Sequence, residues 1–142
     1  MVTYKKILDI FSNIKDTHPE IKNFGSGLLE DVNTSMGSGL FPYLWVIPQG
    51  VRLNNNSMVY IIRTMVFDIN DRDEAYTDEL LSTNITILND VMVMLNNDSN
   101  DYSVINVPIA TPFVQKFSEN TVGWFCDFEI EVATTNTICR VA

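Results

Sequence analysis

Three carboxylates stand at alternate positions late in the chain, Asp127, Glu129 and Glu131, separated by Phe128 and Ile130. On an extended backbone such residues share one face and repeat every ~6.8 Å. That spacing overlaps the ~6.5–9.5 Å separating the acid and base of some glycosidases. Sugar chemistry usually brings stacking aromatics and hydrogen-bond donors as well, and only Phe125 shares this face. The stripe therefore reads first as a solvated strand face and second as a purposeful acidic row. A small carboxylate-dependent enzyme is the reading of another class.

Other chemistry-bearing residues are sparse. The single histidine, His18, stands before Pro19 at the end of a predicted helix. Any hydrolytic triad would have to use it, yet a helix C-terminus favours the imidazolium over a neutral base. Gly25-Ser26-Gly27 and Gly37-Ser38-Gly39 suggest a phosphate cradle, but neither carries the lysine a P-loop needs. Asp68, Asn70, Asp71, Asp73 and Glu74 resemble part of a calcium loop. Arg72 and Asp73 stand where that loop requires an acceptor and a glycine. Cys126 and Cys139 fit no zinc spacing. One disulfide between them stays open, with buried free thiols the expectation. No catalytic residue, metal or cofactor is expected.

The elements that would position these groups follow from periodicity. Tyr4, Ile7, Leu8, Phe11 and Ile14 form the stripe of an amphipathic helix over 3–18, with Thr3 as N-cap and Pro19 as terminator. A long glycine-rich loop at about 22–40 follows, with a short strand near Leu28. Residues 40–47 predict an aromatic strand closed by Pro48, and 58–69 a strand apolar on both faces. Leu80, Leu81, Ile85, Leu88, Val91, Met92 and Leu95 mark a second helix capped by Thr77. One or two strands over 102–117 contain Pro108 and Pro112, which suit an edge. Val122, Trp124, Cys126, Phe128, Ile130 and Val132 alternate with Gly123, Phe125, Asp127, Glu129, Glu131 and Ala133, predicting a strand with the first row buried. The order lacks the alternation of a nucleotide-binding sheet. It predicts an α+β fold: an antiparallel sheet of about four strands with two helices packed on one face.

Size and charge bound the rest. The 142 residues suit a single domain spanning 1–142 with an ordinary core. At 46% apolar and 19% charged, the chain is neither disordered nor fibrous. A net charge of −9 argues against gripping nucleic acid, which needs the opposite sign. No apolar run reaches the ~20 residues of a membrane span, and residues 1–9 lack the apolar block of a signal peptide. A soluble protein made inside a cell, without membrane or specific nucleic-acid partners, is expected.

Two helices on one face would leave the other face of the sheet uncovered. The apolar character of 40–47 and 58–69 then belongs either to simple core or to a subunit interface, two readings that stand side by side. The residues nominated for the interface are Phe41, Tyr43, Trp45, Tyr60 and Ile62, with Gly25 and Gly37 from the loop. Each stable contact between copies should bury more than ~1,000 Å².

The sequence of elements resembles a known family. An initial helix with His18-Pro19-Glu20-Ile21 leads to Phe24-Gly25-Ser26-Gly27, then to Phe41-Pro42-Tyr43-Leu44-Trp45-Val46-Ile47-Pro48. A strand ending in an acidic turn (58–71), a long helix (77–97) and a closing antiparallel pair (113–117 and 122–132) complete it. This order is similar to that of the tail-terminator, tail-completion and neck-ring proteins of tailed bacteriophages. It covers nearly the whole chain and rests on element order, not on a diagnostic motif. The asparagine-rich, low-charge composition resembles that of viruses with AT-rich hosts, such as the crAss-like phages. The resemblance implies a virion subunit, assembled in the host bacterial cytoplasm, forming a six- or twelvefold homo-oligomeric ring. Its neighbours would be other phage neck or tail proteins, and DNA would pass through its lumen. Tail and baseplate adaptors offer a second position.

Charge makes a further expectation for such a ring. At −9 each, six copies carry −54 and twelve carry −108. A lumen lined by Asp127, Glu129 and Glu131, or by the acidic turn 68–74, would repel phosphates and let DNA slide.

Overall fold

The computed structural model describes residues 2–28, 41–70, 75–97, 101–114 and 121–134. Most of the glycine loop with Gly37, the acidic positions 71–74 and the segment 138–141 lie outside the described residues.

Helix α1 runs Tyr4–Thr17. The Thr3 hydroxyl accepts from the Lys6 N–H at 3.2 Å, satisfying one of the donors a helix start leaves unpaired. Ile7, Phe11 and Ile14 are buried, and the His18 N–H closes the last turn on the Ile14 carbonyl. Strand β1 (Asn23–Ser26) follows, then β2 (Tyr43–Leu53) and β3 (Ser57–Ile69). Helix α2 spans Tyr76–Asn97, with Asp78 and Glu79 in its first turn, where the dipole favours anions. Thr77 thus lies inside the helix instead of capping it, and its hydroxyl accepts from the Asn70 side chain. Strands β4 (Tyr102–Val104), β5 (Thr111–Val114) and β6 (Thr121–Ala133) follow.

The sheet corrects the expected architecture. Among the described residues it has six strands, not about four, and it is mixed, not antiparallel: β1 pairs parallel to β2, Asn23 opposite Tyr43. The order is β1-β2-β3-β6-β4, with β5 also paired to β6. Four residues, Asn-Phe-Gly-Ser, are too few to show an alternation, so β1 left no periodic signal. Parallel pairing also depends on where the chain returns after a crossover, which no local pattern encodes. Pro48 does not close β2. The strand continues to Leu53 across a register shift between Pro48 and Gly50, because a bulge on an edge tolerates a missing N–H.

Both helices lie on one face of the sheet. Phe11, Ile14, Ile87, Val91 and Leu95 pack there on Leu44, Val46, Ile62, Val66, Phe128 and Val132. Trp124 joins this side partly buried, donating its indole N–H to the Leu81 carbonyl at 2.8 Å. The helices are clasped by His18. Its Nδ1 accepts from the Glu20 N–H at 3.1 Å, so Nε2 carries the proton and donates to Asp90 Oδ2 at 2.9 Å.

The opposite face divides along the strands. At one end Tyr43, Trp45, Ile47, Met65, Phe67 and Phe113 form a second apolar cluster with Phe41 and Phe125 at its margin. Tyr43 stacks on Phe67 with centroids 5.5 Å apart. Gly123 is required here. A Cβ would strike the Val66 carbonyl oxygen and stand 2.6 Å from Phe67 Cβ. Its missing side chain lets the Phe67 and Phe113 rings meet across the strand, 6.2 Å between centroids.

Candidate functional site

The three carboxylates of β6 occupy the other end of that same face. Strand register places Arg63 opposite Asp127, Ile61 opposite Glu129 and Val59 opposite Glu131. On the far side of β3, Arg52 lies opposite Val59. Arg63 meets Asp127 through two hydrogen bonds, Nε to Oδ1 at 2.9 Å and Nη2 to Oδ2 at 3.2 Å. Its guanidinium also lies 4.7 Å from the centre of the Phe125 ring. Hydrogen bonding to Asp127 holds the Arg63 guanidinium above its ordinary value, outweighing the opposing effect of burial. Arg52 reaches Glu129 at 3.1 Å, and the Ser57 hydroxyl lies 3.4 Å from Glu131. Each carboxylate of the row therefore has a cross-strand donor.

The outer side of β6 is completed by an asparagine. Asn106 donates its amide to the Asp127 carbonyl at 2.8 Å, while its oxygen accepts from the Glu129 N–H at 2.9 Å. The side chain thus fills the hydrogen-bonding role of a neighbouring peptide between β4 and β5. Released from the ladder, the main chain beyond it carries Val107 and Ile109 outward, 92% and 85% exposed. Behind this segment a cleft of about 270 Å³ opens between α2 and 107–110, with Cys126 and Phe128 among its lining. Cys126 is a free thiol. Burial, then the Asp127 charge, push it up to about 12, so it stays protonated near neutrality. A second cleft, of about 500 Å³, borders Glu131 and Asp101 but neither Asp127 nor Glu129.

The nominated interface residues are dispersed, and most are corrected as surface groups. Tyr60 and Ile62 lie in the helix-covered core. Tyr43 and Trp45 are 4% and 2% exposed in the aromatic cluster of the other face. The premise fails because the chain itself buries both sides of that half of the sheet. Phe41 is half-buried at the cluster margin. Gly25 sits under Trp45, where a Cβ would overlap the indole ring. Gly37 lies outside the described residues. Asp68, of the alternative acidic lining, accepts from the Ile69 N–H.

Sequence reasoning missed the exposed rim of Ile105, Val107 and Ile109, which it reads as strand. The available signal is the pairing of Asn106 with Pro108, a side-chain acceptor beside a residue that cannot donate. Among the described residues, no group of three or more histidine, cysteine or acidic side chains is arranged to hold a metal. No helix among them is long and apolar enough to cross a membrane. The chain matches no protein-family model, and no curated protein matches it in sequence.

Proposed function

We propose that the chain is a structural subunit of a ring at the head–tail junction of a tailed bacteriophage, built from copies of itself and docked to adjacent neck or tail proteins. The observation that carries this reading is the aliphatic rim. Ile105, Val107, Ile109 and Val114 stand 47–92% exposed along one edge of a chain of net charge −9. Exposed aliphatics clustered on one edge mark a protein–protein contact. Element order from α1 to β6 supports the same assignment by its resemblance to the neck and tail-terminator proteins.

The carboxylate row supports a structural role over a catalytic one. Asp127 and Glu129 are committed to arginines and Glu131 to a hydroxyl. General acid–base work asks instead for a group free to exchange a proton with substrate. If the row faces a DNA passage, its two arginines neutralise most of it locally, and repulsion of phosphate falls to the net charge of the whole ring. Light scattering on the purified chain, with electron microscopy of particles containing it, tests the proposal. A multi-subunit mass and a ring at the neck are expected. A monomer absent from such particles would overturn it.

A further inference from the structure

The segment between β4 and β5 is a projection held at both ends. The Ile105 N–H donates to the Glu129 carbonyl at 2.9 Å, and the Asn106 side chain bonds β6 twice. From Thr111 the chain pairs with β6 again, opposite Phe125. Along 105–110 exposure alternates. Ile105, Val107 and Ile109 are 47%, 92% and 85% exposed, while Asn106, Pro108 and Ala110 are partly buried. Beside this row lies the cleft of about 270 Å³, walled by Ile85, Asn89 and Met92 of α2 and by Pro108 and Ala110, with Phe128 beneath. An aliphatic ridge and an apolar hollow thus stand side by side on one surface.

We propose that this surface receives a second copy of the chain, Val107 and Ile109 of one copy seating in the cleft beside α2 of another. The inference rests on the ring reading above for the presence of copies, and it names their contact. Charge selects the occupant. Residues 102–114 carry no charge, and 80–97 carry one, Asp90, which accepts from His18. Two chains of net charge −9 repel wherever their carboxylates meet, so an uncharged surface is where they approach at least cost. A basic partner would be drawn instead to the acidic parts of the chain. Shape selects the same occupant. Ridge and hollow belong to one chain, so a copy supplies both halves of the contact. Docking also takes aliphatic side chains out of water. A span already pinned at both ends loses little freedom when it is covered.

The test uses the full chain with Cys139→Ser, so that only introduced thiols react near neutral pH; Cys126 is buried and protonated there. Val107→Cys and Asn89→Cys chains, each changed at an exposed position, are mixed and treated with a short bismaleimide. Light scattering measures the mass of the parent. Cross-linked dimers well above those in either variant alone, together with a parent mass several times 16.1 kDa, are expected. A multi-subunit parent whose mixture cross-links no more than the single variants overturns this contact and leaves the ring. A two-chain parent with mixed cross-links keeps the contact and overturns the ring. A monomer at the highest soluble concentration overturns both, and its uptake of an apolar fluorescent dye would assign the cleft to another occupant. The chain with Val107→Lys and Ile109→Lys should fall to a single-chain mass with unchanged circular dichroism. Its net charge is smaller than the parent's, so general repulsion cannot explain that loss. Retention of the parent mass would also overturn the contact.

Discussion

The face of the sheet away from the helices is built from the same three strands at both ends, yet its ends are held by different physics. At one end Tyr43, Trp45, Met65, Phe67 and Phe113 are at most 8% exposed and pack ring on ring. At the other, Arg52, Arg63, Asp127, Glu129 and Glu131 are half-buried or exposed and pair across strands. β5 contributes to the difference. It brings Phe113 over Gly123 to close the aromatic end, while β4 at the charged end spans only Tyr102–Val104. Apolar burial scales with area removed from water, whereas half-exposed ion pairs are screened and contribute little. The aromatic end should therefore carry stability, and the charged end is left for solubility, register and contact.

The comparison breaks most readily at Phe67. It is fully buried and touches Phe41, Tyr43 and Phe113. Phe67→Ala should cost about 3–5 kcal/mol in urea unfolding, as for other large core truncations. A loss below ~1 kcal/mol would mean that the rings do not form a core. Next in size is Asn106→Ala, expected to cost about 1–3 kcal/mol because the Asp127 carbonyl and Glu129 N–H lose their partner. Faster amide exchange at Glu129 than at Ile130 would locate the effect.

Arg63→Ala should cost about 1 kcal/mol, from a half-exposed two-bond pair and a cation–ring contact. Its cost should shrink in high salt, unlike that of Phe67→Ala. Equal salt dependence would erase the distinction between the two ends. The smallest effect at neutrality belongs to Cys126. Its folded thiol titrates near about 12, above the ordinary ~8.5 of an unfolded one. The contribution is complete below that unfolded value and is lost as pH rises toward the folded one. Wild type should thus lose more stability than Cys126→Ala between about pH 8 and 11, with no difference between them in pH dependence below about 7. Parallel curves through the alkaline range would show that the thiol is not buried.

Parts of this arrangement are legible in the residues alone. The stripe Ile7, Phe11 and Ile14 marks α1, and Thr3 its cap. The alternation from Val122 to Val132 separates a helix-facing row from Asp127, Glu129 and Glu131. The misleading signal is the apolar character of both faces of β3. By itself it leaves simple core and a partner subunit both open, because sequence does not record that Phe113 of β5 joins the second face.

Local periodicity determined the two helices, the long strands and the side of β6 that is buried, because 3.6- and 2-residue repeats sort side chains by face without knowing their partners. Strand number, the parallel pairing of β1 and the pairing of Arg63 with Asp127 were decided only in three dimensions. Each depends on which distant segments become neighbours. That choice is made by the summed burial and hydrogen bonding of the whole sheet, to which no single stretch of sequence contributes enough to declare it.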